Sequence, residues 1–412
     1  MHPYLRTRLG LQMFLAGAVF GAYQPVLPPY LRSLGFSESQ VSLALASINV
    51  AAMISPILMG QAADRWIASE RLLAILNALC GVVLLGVVQL HGFVPFLGAF
   101  FFAMLLTVPL FSMATSIALQ NLPDAARDFP AIRACGTFGH VCGANLLSVW
   151  LTMTHRTFSD ALILSGLLAF VSGAVALTLP HTPPRHDPAG RSAIGRAAGM
   201  LRDPRFALFL GLLFFVQFFG TAYYARGPVF LLDSGISKES LSSLMSIGQT
   251  VEIFVVLLLP FLYGRLGAKG TMALGLGAWV LRFACWTQGR SYALLLGAVG
   301  LHGLCFACGR IAATIYVDKV CPRDARASAQ GLLSVLVDGS GAVLGNLMMG
   351  GLVTHFTVAG VAAWRSIWLV PTVGLAVVFV AFLLGFRERR TPWIEKEKSA
   401  VDSPEPSRGT PV

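Results

Sequence analysis

Charged residues are scarce in this chain: Asp, Glu, Lys and Arg together make up 12% of its 412 residues. Soluble globular domains carry about 25% of these residues, so the sequence is too poor in charge for an ordinary soluble protein. Hydrophobic residues reach 56% and recur in long runs separated by short polar breaks. The excess of apolar side chains therefore has to face lipid, which excludes a water-soluble fold.

The sequence also lacks the common motifs of soluble enzymes. It contains no P-loop, no HExxH zinc motif and no GxSxG nucleophile elbow. Its seven cysteines lie in or beside apolar runs, and an odd number without an extracellular framework argues against structural disulfides. A lone CxxC at Cys305 and Cys308 is better explained by small residues at a helix contact than by a metal. We therefore expect neither an enzyme nor a bound metal or cofactor.

Twelve apolar segments are long enough to cross a bilayer as helices, which takes roughly 17–25 residues each. This pattern predicts an all-α membrane protein with twelve transmembrane helices. The predicted spans are Leu9–Tyr30, Val41–Gly60, Leu72–Leu90, Phe93–Leu119, Ile132–Met153, Asp160–Leu179, Phe206–Leu231, Leu241–Leu262, Thr271–Thr287, Tyr292–Val317, Ala327–Val353 and Trp364–Phe386.

Positive charge is distributed unevenly between the loops on the two sides of these spans. With the N-terminus placed in the cytoplasm, 21 of the 30 Lys and Arg residues fall on cytoplasmic segments, five on the other side and four within spans. This asymmetry follows the positive-inside rule and places both termini in the cytoplasm. The net charge of +11 is therefore explained by topology and does not indicate nucleic-acid binding.

The N-terminus resembles a signal peptide only superficially. Arg6 and Arg8 precede an apolar run, but the run is too long and ends in Tyr23–Pro29 (YQPVLPP) instead of a small-residue cleavage site. We interpret it as an uncleaved first helix.

An internal repeat divides the chain. Leu34–Ser42 (LGFSESQVS) and Ser234–Ser242 (SGISKESLS) match in pattern at an offset of 200 residues, and each offers polar residues to cap the following helix. Each is followed by a span that ends in a basic turn, Gly60–Arg65 (GQAADR) in one case and Gly264–Lys269 (GRLGAK) in the other. Parallel halves of this kind build the major facilitator fold.

Composition gives the expected boundaries of these halves. Six-helix halves are predicted at residues 1–179 and 206–386, joined by a cytoplasmic linker at residues 180–205 that is rich in Pro, Gly and Arg. Residues 387–412 are charged and then rich in Pro and Ser, which predicts a disordered cytoplasmic tail.

The first basic turn resembles the signature between the second and third helices of major facilitators. Gly60, Asp64 and Arg65 match it, whereas Trp66 and Ile67 stand where a second glycine is usual. The resemblance implies that these residues lock helix ends on the cytoplasmic side and help to gate alternation.

Ionisable side chains inside the spans are the strongest functional signal, because they are costly in lipid and usually face a water-filled path or a solute. At ~1.5 Å per residue, Glu252 and Asp338 each lie about 17 Å into their spans, near the midplane where transporter sites occur. Arg226 and Arg282 lie toward the outer ends of their spans and could extend to the surface instead. Arg310 could simply pair with Asp338.

Glu252 shares a helix face with Gln249, three residues earlier. A carboxyl group at this depth can accept hydrogen bonds from a solute when ionised and can carry a proton when neutral, so Glu252 and Asp338 are the proton-coupling candidates. Gln249 adds a donor and an acceptor suited to a base edge or a sugar hydroxyl. The alternative for Glu252 is a structural pair with a buried arginine.

Further solute-binding candidates lie on other spans. Arg133 and Thr137 share one face of the fifth span, and His140 lies close to that face. Tyr224 and Phe306 could stack on a planar solute, as could Tyr223. His140 and the three aromatic residues could equally be packing residues.

Several segments resemble the nucleoside:proton symporter family of the major facilitator superfamily, over most of the chain. The run at residues 129–139 looks like the FPPIRxWGTIG pattern of that family, and residues 249–252 fit its QxxE. The matching segments are Phe129–Gly139 (FPAIRACGTFG), Leu177–Pro183 (LTLPHTP), Gln249 with Glu252, Ala278–Ala284 (AWVLRFA) and Arg326–Gly331 (RASAQG). The resemblance implies proton-driven nucleoside uptake, with a site formed at Arg133, Thr137, Gln249 and Glu252.

The chain departs from the family pattern in part of that site. Thr221 and Tyr224 stand where the family has Gln and Asn, Ala307 and Arg310 stand where it has Asp and Asn, and His140 replaces a Phe. The pocket thereby loses an acid and gains an arginine, which leaves room for a more anionic solute.

The sequence thus predicts a monomeric, multi-pass symporter of the bacterial inner membrane, whose partners are a nucleoside or close analogue, protons and the lipid bilayer. One alternative is a symporter for an organic anion such as an aromatic acid, favoured by the excess of arginine inside the spans. The other is a transport-inactive solute sensor on the same scaffold.

Overall fold

The computed structural model describes residues 4–184, 201–289, 291–321 and 326–388. Most of the predicted linker and nearly all of the predicted tail lie outside these residues. Within them the chain is almost entirely helical, with one short antiparallel hairpin that pairs Thr357–Val358 with Val361–Ala362.

The N-terminal helices are those before residue 177. A short 3₁₀ turn, Gln24–Val26, separates the first two of them, where prolines interrupt the first apolar run. The helices are α1 (Leu5–Tyr23), α2 (Leu27–Ser33), α3 (Glu38–Arg65), α4 (Ser69–Val87), α5 (Phe93–Asn121), α6 (Ala125–Thr154) and α7 (Asp160–Ala176).

The C-terminal helices follow residue 203. Two wide π-helical segments, Cys305–Ile311 and Ser334–Gly341, interrupt them. The helices are α8 (Pro204–Gly220), α9 (Ala222–Asp233), α10 (Lys238–Gln288), α11 (Tyr292–Gly300), α12 (His302–Leu304), α13 (Ala312–Val320), α14 (Arg326–Leu333), α15 (Ala342–His355) and α16 (Trp364–Gly385).

Helix occurs at all twelve predicted spans. Among the described residues, nine helical segments are long and apolar enough to cross a membrane, and α7 is a shorter apolar helix. One of the nine, α10, has 51 residues and contains a break at Gly267 (φ 67°), so that it joins two of the predicted spans. The exact number of twelve crossings stays a prediction.

The predicted helix caps of the internal repeat are confirmed. Gly35 (φ 79°) and Gly235 (φ 96°) each take the left-handed backbone conformation that glycine adopts without strain. Ser37 Oγ then accepts from the backbone N–H of Gln40, whose side chain accepts from the N–H of Ser37 in return. Ser237 Oγ likewise accepts from the N–H three residues later. The two loops therefore start α3 and α10 by the same local chemistry.

Helices α1 and α6 touch backbone to backbone. The contact is made by glycines on both helices. A methyl group added at four of them would overlap main-chain atoms of the partner helix, and one added at Gly136 would overlap the ring of Phe111 on α5. Small residues allow such close packing, which stabilises helices where no hydrophobic effect drives them together. These glycines are Gly17, Gly21, Gly136, Gly139 and Gly143.

Polar contacts join the N-terminal to the C-terminal helices near one end of the bundle. Arg226 Nη2 lies 3.0 Å from Glu38 Oε2, and Arg32 Nη1 lies 3.2 Å from Asp233 Oδ2. Lys238 Nζ donates to the carbonyl of Arg156 just beyond α6 at 3.0 Å. We refer to Arg226, Glu38, Arg32 and Asp233 as the clasp.

Arg226 and Arg282 do not extend to the surface, which was one of the two alternatives left open for them by the sequence. Arg226 is 1% exposed and donates to Ser42 Oγ at 2.7 Å as well as pairing with Glu38. Arg282 is 0% exposed, and its guanidinium carbon lies 3.3 Å from the centre of the Tyr223 ring. Both arginines stay inside because the folded chain supplies partners that sequence position does not reveal.

The glycine contact between α1 and α6 can be tested by comparing a substitution inside the contact with one outside it. Gly139→Ala places a methyl group against the Phe14 carbonyl, so we expect a loss of ~1–3 kcal/mol in stability. In Gly98→Ala the added methyl group meets nothing within 4 Å, so this control should be neutral or stabilising. Thermal unfolding of both variants in detergent measures the difference, and equal melting temperatures would contradict the packing described.

Candidate functional site

A cavity of about 530 Å³ lies between the N-terminal and C-terminal helices. This volume is in the range of sites for small organic solutes. Rings of Phe20, Trp279 and Phe306 form part of its wall. The polar residues that line it are Gln24, Asn49, Arg133, Gln217, Thr221, Tyr224, His302, Arg310, Thr314, Asp338 and Asn346.

The cavity brings together five residues that the sequence singled out, from four different spans. Arg133 comes from α6, Tyr224 from α9, Phe306 and Arg310 from one π segment, and Asp338 from the other. Arg133 also lies over the ring of a neighbouring phenylalanine, with 4.5 Å between its guanidinium carbon and the ring centre. A cation, an ion pair and aromatic rings therefore face one space, as recognition of a planar polar solute requires.

Gln249 and Glu252 lie behind this wall and do not line the cavity. They are 7% and 8% exposed, and Gln249 Nε2 donates to the Tyr224 hydroxyl at 2.8 Å. Glu252 Oε2 lies 3.9 Å from His302 Nε2, which is too far for a hydrogen bond. Glu252 and Arg133 are close enough to interact electrostatically. Tyr224 thus stands between the cavity and the two polar residues of α10.

His302 is the central residue that sequence reasoning missed. Its Nε2 lies 2.9 Å from the Tyr224 hydroxyl, and its ring stacks on that of Tyr223 with centres 5.3 Å apart. Arg282 Nη1 lies 3.4 Å from its Nδ1. The signal was available, because the rule that drew attention to Glu252, an ionisable side chain within a span, applies equally to a histidine in Tyr292–Val317.

The pairing of Arg310 with Asp338, left open as an alternative by the sequence, is present in the structure. Arg310 Nε donates to Asp338 Oδ1 at 2.9 Å, and Nη2 donates to Oδ2 at 2.5 Å, which is a bidentate pair. Thr314 Oγ1 accepts from Nη1 of the same guanidinium at 2.6 Å, and Asn49 Nδ2 donates to the Asp338 carbonyl at 3.3 Å. The two π-helical segments hold the pair at the wall of the cavity.

Thr137 and His140 do not line the cavity. Thr137 is half-buried on α6. The His140 Nε2 atom is buried without a hydrogen-bond partner among the described residues, and its backbone is in close contact with Gly21 on α1. This position favours the packing alternative for His140, and its solute-binding role remains a prediction.

The predicted gating residues lie away from the cavity. Gly60 and Asp64 line a hollow of about 200 Å³ between α3 and α5, and Arg65 is exposed at the end of α3. Their role in alternation stays a prediction.

The CxxC pair lies at a helix contact. Cys305 and Cys308 are both buried in the π segment, and the backbone of Cys308 approaches Gly275 on α10. This is the small-residue packing that the sequence favoured for the pair.

The bidentate geometry makes the Arg310–Asp338 pair testable by a double-mutant cycle. For Arg310→Gln and Asp338→Asn we expect a coupling of at least about 1 kcal/mol, because each single change leaves its partner unpaired in the bundle. The matched control is Arg326→Gln with Asp318→Asn, whose atoms lie 3.6 Å apart on more exposed side chains. That pair should couple by less than about 0.5 kcal/mol. Unfolding of the purified variants measures both values, and equal coupling would refute the expectation.

Comparison with known proteins agrees with the fold and gives the family of the chain. The family model described as Nucleoside H+ symporter matches residues 4–391. The putative nucleoside transporter YegT of Escherichia coli (strain K12) is 31% identical over 406 residues, which cover 93% of this chain and 94% of that protein. Xanthosine permease of the same organism is 30% identical, covering 94% of this chain and 97% of the permease.

Solved structures give the same result. The crystal structure of nucleoside transporter NupG superposes with a TM-score of 0.83 at 26% identity, covering 94% of this chain and all of that one. The D-xylose-proton symporter shares the fold, with a TM-score of 0.70 at 16% identity and coverage of 93% and 98%. The predicted major facilitator fold is confirmed, and the relatives are transporters, not enzymes. The chain belongs to the Nucleoside H+ symporter family.

Proposed function

We propose that this protein is a proton-coupled secondary transporter that imports nucleosides or close analogues. The observation that carries the proposal is the cavity between the two sets of helices, in a chain whose family match extends from residue 4 to residue 391. The cavity combines aromatic rings with hydrogen-bonding groups, and a nucleoside combines a planar base with a polar sugar.

The solute site is proposed to include the cavity residues predicted from the sequence. Phe306 and the ring of Trp279 offer faces for a base, and the polar groups across the cavity, among them Asn49, offer partners for sugar hydroxyls. Arg133 is the cation placed to orient the solute, since its guanidinium faces the cavity and has no ion pair within 4 Å among the described residues. Gln249 contributes through its hydrogen bond to Tyr224.

Glu252 is the proposed proton carrier. Its carboxylate is buried beside the solute site, and the described residues hold no arginine or lysine in an ion pair with it. A carboxyl group that is not fixed by a salt bridge can gain and lose a proton as the site changes its exposure to water. Asp338, by contrast, is held by two nitrogens of Arg310, which favours a structural role for it.

The transporter is proposed to sit in the bacterial inner membrane as a monomer with both termini in the cytoplasm. The distribution of Lys and Arg supports this orientation. Large apolar side chains such as Val94 (78% exposed), Leu257 (73%) and Val377 (63%) cover the outer faces of the helices, where lipid would contact them. In this orientation the clasp closes the periplasmic end.

Alternation is proposed to occur by rocking of two halves, residues 1–179 and 206–386, about the central site. Described polar contacts between the halves lie at the clasp and in the adjoining part of the bundle, where Asn145 Nδ2 donates to Ser246 Oγ at 3.1 Å. Others lie beside the cavity, where Asn49 Nδ2 donates to the Asp338 carbonyl at 3.3 Å. Opening of the clasp end would have to break the buried pair between Arg226 and Glu38.

The organic-anion alternative rested on the excess of arginine inside the spans. Two of the four arginines are neutralised by carboxylates, Arg226 by Glu38 and Arg310 by Asp338. Arg282 is held by backbone carbonyls and aromatic rings behind the cavity wall. Of the four, Arg133 is left without an ion pair, and Glu252 interacts with it electrostatically. The excess of positive charge that supported the anion alternative is therefore largely balanced, which favours a neutral solute.

Uptake by membrane vesicles with an imposed proton gradient tests the proposal directly. Labelled uridine and inosine should accumulate, and Glu252→Gln should abolish accumulation while exchange of solute across the membrane persists, since a permanently neutral group cannot couple proton movement. Glu239→Gln, the same change at a half-buried position at the start of the same helix, is the control and should retain accumulation. Gradient-driven accumulation by Glu252→Gln would remove Glu252 from the coupling step, and competition by aromatic acids in place of nucleosides would favour the anion alternative.

The clasp predicts a shift between conformations. Arg226→Met leaves the Glu38 carboxylate without its cation, so spin labels at Ser39 and Ser240, both exposed and on opposite halves, should move apart. Arg32→Met removes a pair that is exposed on both sides, so it should change the distance distribution less. Pulsed electron spin resonance on detergent-solubilised protein measures both. An unchanged distribution in Arg226→Met would show that the buried pair does not hold this end closed.

A further inference from the structure

The hydroxyl group of Tyr224 lies between two nitrogen atoms of the protein. Gln249 Nε2 is 2.8 Å away and His302 Nε2 is 2.9 Å away. Tyr224 and His302 both line the cavity, so this group of side chains forms part of the proposed solute site. What the hydroxyl can offer a solute depends on which of these contacts it donates to and which it accepts from.

Arg282 decides the direction of the contact with His302. A guanidinium has only N–H donors and stays protonated in proteins, so the His302 Nδ1 that faces Arg282 Nη1 at 3.4 Å has to be the acceptor. Arg282 cannot turn away, because its Nε donates to the Ala298 carbonyl at 2.9 Å and its guanidinium lies over the Tyr223 ring. A neutral imidazole that accepts at Nδ1 carries its hydrogen at Nε2. His302 therefore donates to the Tyr224 hydroxyl oxygen.

The hydroxyl oxygen is thereby fully used as an acceptor. A tyrosine hydroxyl has one hydrogen to donate and can accept two hydrogen bonds. Gln249 Nε2 and His302 Nε2 are both donors here and occupy the two acceptor positions. These two contacts do not use the hydroxyl hydrogen, which is left for a solute. The Gln24 side chain, which also lines the cavity, is a further polar group close to this hydroxyl.

We propose that Tyr224 is an obligate hydrogen-bond donor to the transported solute, with His302 as the positioning residue that fixes this polarity through Arg282. The inference rests on the proposed function and adds a substrate preference to it. Sugar hydroxyls can donate or accept, so a fixed donor does not select among them. Base substituents have fixed polarity: an oxo group accepts and an amino group donates. The site therefore favours nucleosides with an oxo-substituted base over their amino counterparts.

Isothermal titration of the purified, full-length protein tests the preference with two matched pairs, uridine against cytidine and inosine against adenosine. The wild type is expected to bind the oxo member of at least one pair about tenfold more tightly, which is the usual effect of one satisfied against one unsatisfied hydrogen bond. Tyr224→Phe should reduce that ratio to within about twofold. Tyr223→Phe is the matched control, since it removes a neighbouring hydroxyl that makes no hydrogen bond among the described residues, and it should keep the ratio.

Two variants of His302 examine the positioning role by the same ratio. His302→Gln can still accept from Arg282 and donate to Tyr224, so it should keep most of the preference. His302→Leu frees one acceptor position of the Tyr224 hydroxyl, so it should lose the preference even where binding persists. Equal ratios in these two variants, an absent preference in the wild type, or a full preference in Tyr224→Phe would each overturn the inference. Binding of no nucleoside at all would instead reject the proposed function, and the inference with it.

Discussion

Burial of charge without water is the constraint on which the rest of this structure depends. An ionised group in an apolar bundle costs several kcal/mol unless the protein itself supplies the partners that water would have provided. Three arginines meet that requirement in different ways. Arg226 pairs with a carboxylate from the other half of the chain, and Arg282 contacts backbone carbonyls and an aromatic ring. Arg310 makes a bidentate pair with an aspartate beside the cavity. The arrangement of the helices around the cavity follows from these pairings as much as from apolar packing.

One buried ionisable residue is an exception to this rule, and the exception points to its function. Glu252 is buried too, yet the described part of the chain gives its carboxylate no ion pair with an arginine or lysine. It has only an electrostatic interaction with Arg133 and a histidine at 3.9 Å. A structural carboxylate would be tied down as Asp338 is. A carboxylate that has to exchange protons is better left untied, because a strong salt bridge would hold it in one charge state.

Much of this organisation could be predicted from the sequence, and the rest could not, for identifiable reasons. Helix positions follow from the length of the hydrophobic runs. The two capped loops follow from a serine whose side chain accepts from the backbone N–H three residues later. Both signals are local in the sequence. The pair of Arg226 with Glu38 joins residues 188 positions apart, and no periodicity encodes such a contact. Tyr224 could be assigned to the solute site by resemblance, but its position in front of Gln249 depends on how α9 packs on α10, which only the assembled fold determines.

The π-helical segments affect how this chain can be compared with its relatives. A π turn closes a wider ring than an α turn, which in effect inserts one residue and rotates everything beyond it by roughly 100° relative to a regular helix. His302 and Arg310 are eight residues apart and would diverge by about a quarter turn on a regular α-helix. Both line the cavity, and the π segment that begins at Cys305 contains Arg310 and most of the residues between the two. Residue-by-residue correspondence with a relative whose helix is regular at this point would therefore slip by one position, and an apparent exchange of one side chain for another there can be a change of register.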